Sequence, residues 1–365
     1  MSAPLRVGIV GVGNISRQYL AALPRLPGLQ LTAVADLDRE RARAVAAEQG
    51  VAELALDDLL GADEVDVVLN LTVPAAHVPV GLAVLAAGRH LYAEKPLGLT
   101  TEEAAPLLAA AAERGLRVGS APDTVLGTGI QTARRLLDDG AVGEPYAASV
   151  AWGSPGHEAW HPAPYFYYQP GGGPLLDMGP YYLTALVTLL GPVERVMGTS
   201  RRTSRERSVG KGPDEGRPVA VTTDTTQSAI LEHAGGATSS VTLSFDRWAS
   251  RAPLFEVYGT GGTLAVPDPN KFSGDVELWT PATREWRPAE VAGGYAEAGR
   301  GYGLADMARA IETGRPHRAS GELALHVLEV MDAVFRSSEG HEVVTLTTTV
   351  ERPEAVPLES TPDSW

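Results

Sequence analysis

The first 36 residues constrain this chain more than any other stretch. Leu5 to Val10 is an apolar run broken only by Arg6 and Gly8, and it leads straight into Gly11-Val12-Gly13-Asn14-Ile15-Ser16. A buried strand, a glycine turn and a helical stretch from Ile15 to about Leu23 open a unit of parallel strands joined by crossover helices. Gly11 permits the tight turn. Gly13 lets a phosphate come close to the backbone, and Ser16 is small enough for helix to pack on strand. Pro24 and Pro27 stop the helix, and Leu29 to Ala35 reads as a second buried strand ending in Asp36. Asp36 stands twenty residues past Ser16, where a carboxylate accepts the ribose hydroxyls of a dinucleotide whose pyrophosphate rests on the helix N-terminus. Asp is also a favoured N-cap, so capping of the segment from Leu37 is the other reading. A carboxylate at the ribose repels a 2′-phosphate, which favours NAD over NADP, with Arg39 nearby acting in the opposite direction. Gly11, Gly13, Asn14, Ile15 and Asp36 are therefore candidate cofactor residues.

The alternation continues. Asp38 to Gln49 reads as a helix stopped by Gly50, Asp57 to Leu60 as a short helix, and Val65 to Leu71 as a buried strand. Thr72 and Pro74 fall at its tip, on the cofactor edge. His77 opens the next helix, either as a packing residue or as a contact to the cofactor. His90 to Ala93 is a strand that ends in Glu94-Lys95-Pro96 and so delivers an ammonium to the same edge. Thr101 to Arg114 is a capped helix, Arg117 to Gly119 a last short strand, and a domain boundary is expected at residue 123.

Composition narrows the rest. A length of 365 residues suits two domains. The net charge of −15 argues against nucleic acid and anionic membrane as partners. No cysteine is present, which removes disulfides, thiol catalysis and Cys-based zinc, and no metal site is expected. With no leader-like pattern and no apolar run of membrane-spanning length, the expected location is cytoplasmic.

From residue 124 to 351 the pattern changes. A helix from Ile130 to Asp139 precedes alternating strands at Tyr146–Val150, Val219–Thr226, Ser228–His233, Thr238–Phe245 and Leu254–Gly259, which predict a large, mostly antiparallel open sheet. Arg201 to Arg217 reads as a solvated hairpin loop. A long helix from Gly321 to Ser337 and a strand from Val343 to Leu346 close the domain, and 352–365 reads as a mobile tail. Of the chain's aromatic residues (6 Trp, 11 Tyr, 5 Phe), eight lie between Trp152 and Tyr182. Such a cluster suits either a pocket for a polyhydroxylated ring or a subunit interface. Within it Trp160 and His161 are candidate substrate contacts. Asp177 on the first turn of an apolar helix, Leu183 to Leu190, and Tyr181 one turn later are candidates for substrate binding and catalysis. If that helix points at Lys95, an ammonium, a carboxylate and a phenol converge, a set able to hold one hydroxyl and move its proton. Capping by Asp177 and packing by Tyr181 is the plainer alternative.

Gly11-Val12-Gly13-Asn14-Ile15, Asp36, Thr72-Val73-Pro74 with His77, Glu94-Lys95-Pro96, Gly171-Gly172-Gly173 with Asp177-Met178-Gly179, and Phe255 to Leu264 together resemble the glucose-fructose oxidoreductase / inositol dehydrogenase (Gfo/Idh/MocA) family. The resemblance implies a Rossmann domain plus an α/β domain with a large open sheet, assembled into homodimers or homotetramers through that sheet. It implies a nicotinamide cofactor and a sugar, cyclitol or glycoside substrate. Lys95 matches the family's Lys and Asp177 its second-motif Asp. Two departures stand out. The family's pattern has His where this chain has Tyr181, which leaves His161 as another candidate for the imidazole, and Pro122-Asp123-Thr124 replaces an expected Arg-Phe. The reading is an NAD(H)-dependent oxidoreductase acting on a secondary alcohol. A redox glycosidase that restores its NAD each turnover, and a non-catalytic dinucleotide-binding regulator, are the alternatives.

Overall fold

The computed structural model describes residues 3–361. The chain divides into two compact units, one made of Met1–Gly127, Gly294–Leu325 and Val356–Trp365, the other of Thr128–Gly293 and His326–Ala355. The expected split of 1–123 against 124–351 is corrected here, because 294–325 packs with the first unit. The tail is corrected too. Val356 is buried and its carbonyl accepts the Gly294 N–H at 2.9 Å, while Arg352 donates to the Thr188 carbonyl and to Asp138. One apolar anchor is enough to hold a stretch whose composition alone reads as solvated; residues 362–365 of that expectation lie outside the described residues.

The first unit carries β1 (Leu5–Val10), α1 (Ser16–Ala22), β2 (Leu29–Ala35), α2 (Arg39–Gln49), β3 (Ala52–Glu53), α3 (Leu56–Gly61), β4 (Val67–Asn70), α4 (Pro74–Ala86), β5 (His90–Ala93), α5 (Thr101–Arg114) and β6 (Val118–Ser120). The strands run parallel in the order β3-β2-β1-β4-β5-β6. Their residues are buried almost without alternation, as expected for strands covered by helices on both faces. Local chemistry sets the boundaries. Asp38 caps α2 by accepting the Arg41 N–H, Thr100 caps α5 through the Glu103 N–H, and Gly50 and Gly115 end these helices in the left-handed conformation.

The second unit carries α6 (Thr128–Asp138), β7 (Pro145–Gly153), α7 (Pro174–Leu190), β8 (Val193–Arg201), β9 (Glu206–Ser208), β10 (Pro218–Ala220), β11 (Thr226–His233), β12 (Thr238–Ser244), β13 (Phe255–Gly259), β14 (Gly262–Ala265), β15 (Glu277–Trp279) and β16 (Trp286–Pro288). After α8 (Tyr302–Thr313), which belongs to the first unit, come α9 (Gly321–Gly340), which joins the second unit from His326 onward, and β17 (Val344–Thr345). Nine strands form one sheet in the order β16-β15-β14-β13-β7-β12-β11-β8-β17, and only β7 with β12 is parallel. On β11 the side chains of Gln227, Ala229, Leu231 and His233 are buried and those between them point away, so one face is covered and the other open.

Three expectations change. The helix bearing Asp177 starts at Pro174, not Leu183, and continues through Pro180. The strand expected at Val219–Thr226 is split into β10 and the start of β11. Arg201–Arg217 is not simply solvated: β9 pairs antiparallel with β10, and Val209 is buried with Tyr168, Val219, Val221 and Phe245. Short polar strands such as β9 show too little alternation to be read from sequence.

Candidate active site

In the first unit the strand ends are level. Val10 pairs with Ala35 and with Asn70, Asn70 with Ala93, and Ala93 with Ser120. Gly11, Asp36, Thr72 and Glu94-Lys95 therefore leave the sheet along its carboxyl edge, where open α/β sheets bind ligands. Gly11 has φ +92°, and a Cβ there would lie 2.8 Å from the Leu71 carbonyl oxygen, so only glycine lets β1 turn this close to β4. A Cβ at Gly13 would meet nothing within 4 Å, so its backbone is bare toward an approaching phosphate. Ser16 is buried and donates its hydroxyl to the Gly13 carbonyl at 2.7 Å, closing α1 onto the turn.

Asp36 accepts the Val12 N–H, the Asp38 N–H and the Arg41 guanidinium, each at 2.8 Å. Burial pulls its pKa up, but the bonds from Arg41, Asp38 and Val12 outweigh this and hold it below its ordinary value. The capping alternative falls away, since the cap of α2 is Asp38. The cation beside Asp36 is also corrected: Arg39 pairs with Glu53 at 2.5 Å, and Arg41 is the one on Asp36. A bare backbone at a helix N-terminus and an ionised carboxylate at the β2 tip fit NAD.

Behind this edge, side chains tie the loops together. Asn70 is buried, donates to the His77 carbonyl and accepts from the Thr72 N–H and hydroxyl. His77 is buried, with one ring nitrogen 2.7 Å from the Pro96 carbonyl and the other 3.0 Å from that of Thr72. Burial lowers its pKa. The ring staples the β4 tip to the Lys95-Pro96 loop. Glu94 is buried too, its two oxygens accepting the Tyr19 hydroxyl at 2.8 Å and the Lys95 N–H at 2.9 Å. It holds the backbone of Lys95. Asp123 is fully buried, accepts the Gly301 and Gly303 N–H groups at 2.9 and 3.1 Å, and lies 3.5 Å from Arg300. Pro122-Asp123-Thr124 thus anchors the start of α8.

The second unit builds a cluster of its own on glycines and rings. Gly173 has φ +90° and donates to the Tyr167 carbonyl at 2.8 Å; a Cβ there would lie 2.8 Å from the Asp224 carbonyl oxygen. The glycine run thereby seats the turn Tyr165–Tyr168 against the start of α7, whose first turn carries Asp177. One Asp177 oxygen lies 2.8 Å from Nε2 of His157. The His157 ring is boxed by Tyr167 and Phe245, each with its centroid at 4.4 Å, by Trp160 at 5.2 Å and by Trp152 at 6.4 Å. From behind, the His157 N–H donates to the Tyr168 hydroxyl at 3.0 Å, which donates to Glu158. Arg207 closes the cluster, pairing with Glu158 at 2.5 Å and with Asp246. Burial and the Glu158 carboxylate push the Tyr168 pKa up.

Among the expected residues, Trp160 and His161 have ring centroids 5.3 Å apart, with Trp160 half exposed and His161 accepting the Ala163 N–H. Burial lowers the His161 pKa. Tyr181 is buried on α7 one turn from Asp177. Tyr168 and Tyr182 of the aromatic run are fully buried core residues. Sequence reasoning missed Arg41, His157, Glu158, Arg207 and Asp246. The signal available was a polar pair, His157-Glu158, set between Gly156 and Trp160 at the head of the aromatic run.

Two family models match in order along the chain. One, described as "Oxidoreductase family, NAD-binding Rossmann fold", covers residues 5–121, and the other, "GFO/IDH/MocA C-terminal domain", covers 130–265. A dTDP-3,4-didehydro-2,6-dideoxy-alpha-D-glucose 3-reductase of Streptomyces violaceoruber is 36% identical over 210 residues, 57% of this chain and 61% of its own length. The match thus spans about three fifths of that relative. An NAD binding oxidoreductase from Klebsiella pneumoniae has the same fold, with a TM-score of 0.81 at 23% identity over 95% of this chain and 100% of that one. Levoglucosan dehydrogenase, solved with NADH and L-sorbose, gives 0.80 at 20% identity over 94% and 99%. With both domain models in place, the chain belongs to the Gfo/Idh/MocA family and carries that family's NAD-binding Rossmann domain and C-terminal domain.

Proposed function

We propose that this protein is an NAD(H)-dependent oxidoreductase that moves hydride to or from a secondary alcohol carbon of a sugar, cyclitol or glycoside. The observation that carries the reading is the position of Lys95, which leaves β5 on the same sheet edge as Gly11, Asp36 and Thr72. When bound, NAD supplies the hydride acceptor or donor. Lys95 takes the proton of the substrate hydroxyl in oxidation and returns it in reduction. Glu94 and His77 fix the loop from which Lys95 projects. In the second unit Asp177 and Tyr181 are assigned to the substrate hydroxyls, with Tyr181 also as proton carrier, and Trp160 and His161 to the face of the ring. The sugar named for the Streptomyces relative and the L-sorbose bound to levoglucosan dehydrogenase support the substrate class.

The open face of the nine-stranded sheet supports assembly into a homodimer or homotetramer. Ile230 and Met197 are exposed there and paired in register. Among the described residues no helix is long and apolar enough to cross a membrane. Purified protein screened against sugars, cyclitols and glycosides with NAD and NADP, followed by absorbance at 340 nm, tests the reading. Turnover with at least one polyol and a preference for NAD is expected, and absence of turnover across the panel in both directions contradicts it.

A further inference from the structure

We infer that His157 is a positioning residue for Asp177, supplying from a separate turn the imidazole that the family pattern places at 181. The inference rests on the oxidoreductase reading for its kinetic consequence and on geometry alone for its structural one. Asp177 stands on the first turn of α7, and one of its oxygens lies 2.8 Å from His157 Nε2. The other ring nitrogen, Nδ1, is buried and has no hydrogen-bond partner among the described residues. A proton on Nδ1 would be a buried donor with no acceptor, which costs about 1–3 kcal/mol, so the proton sits on Nε2 and is donated to the carboxylate. The same dead end excludes a relay, because an imidazole passes a proton onward only when both nitrogens are connected. What remains for His157 is orientation. Its donated bond holds one carboxylate oxygen and thereby aims the other.

The surroundings are built for that task. Four aromatic rings stand around the imidazole and restrict its rotation. Its backbone N–H is held by the Tyr168 hydroxyl, and the next residue, Glu158, is clamped by Arg207. His161, by contrast, uses its Nδ1 on the Ala163 N–H and makes no bond to Asp177 among those described.

Two variants and one spectrum test this. His157→Phe keeps a ring in the box but removes the donor, and kcat is expected to fall about 10- to 100-fold, the effect of misplacing one reacting group, with KM for NAD unchanged. His157→Gln restores a side-chain N–H that cannot ionise, and kcat is expected to return to within about threefold of wild type. Wild-type kcat in His157→Phe overturns the inference. So does His157→Gln falling as low as His157→Phe, since the imidazole itself would then be required. A long-range 1H–15N spectrum of the unmodified protein labelled at histidine is expected to show His157 protonated at Nε2 and bare at Nδ1. A proton on Nδ1 overturns the inference even if the Phe variant fails to fold. If the unmodified protein turns over no substrate, the oxidoreductase reading fails while the spectrum still decides the role of His157.

Discussion

The edge of the parallel sheet and the aromatic turn ahead of α7 solve the same problem in opposite ways. At the edge, backbone does most of the work: level strand ends, a glycine turn and a helix N-terminus present N–H groups, and few side chains are needed. At the turn, side chains do it: a carboxylate is held by an imidazole, the imidazole by rings, and the turn beneath by an Arg bridging two carboxylates. A backbone-built site is compact in sequence and tolerant of substitution outside its glycines. A site built from side chains is spread over the chain, and each link is exposed to mutation.

The contrast is sharpest at Lys95, an ammonium on an edge built largely from backbone. Lys95→Ala is expected to lower kcat by about 10²- to 10⁴-fold, the range for losing a general acid/base, while NAD affinity by fluorescence titration stays within about twofold. Loss of both together would mean that Lys95 supports the edge itself. In the second unit the larger effect should be on stability. Arg207→Met leaves the buried Glu158 and the half-buried Asp246 without their cation, and a loss of about 3 kcal/mol in urea unfolding is expected. An unchanged unfolding midpoint would show that the clamp is idle.

Two smaller effects test which groups each region uses for recognition. Asp36→Ser removes the carboxylate that opposes a 2′-phosphate and leaves Arg41 beside the site. The ratio of kcat/KM for NADP to that for NAD is expected to rise about tenfold or more, a change worth roughly 1.4 kcal/mol. An unchanged ratio would move the determinant away from β2. Trp160→Ala is expected to raise KM for the sugar about tenfold with NAD affinity unaltered, through lost stacking on the ring. If instead the variant dissociates into subunits with normal kinetics, Trp160 belongs to an interface.

The same contrast explains what was legible before the structure. Gly11, Gly13, Asp36, Thr72 and Lys95 sit at strand ends whose period and punctuation are local, so their common edge follows from sequence. The division of the chain was less legible, because 294–325 packs with the first unit through contacts such as Asp123 with Gly301 that span well over a hundred residues. The partners of the His77 ring were not legible, since carbonyls buried by folding cannot be seen in a sequence. His157 escaped notice because its partner is twenty residues away, and Arg207 because a basic, glycine-broken stretch reads as solvent-facing until its two carboxylates are brought to it.

In the proposed reaction hydride leaves a secondary alcohol carbon for bound NAD while a protein base takes the hydroxyl proton. The substrate found by screening, deuterated at the reacting carbon, lets mass spectrometry of the cofactor and the sugar follow that hydride. One deuterium in NADH is expected for each sugar oxidised, and none in solvent. Deuterium washed into water, or returned to the sugar with no net NADH formed, would contradict it.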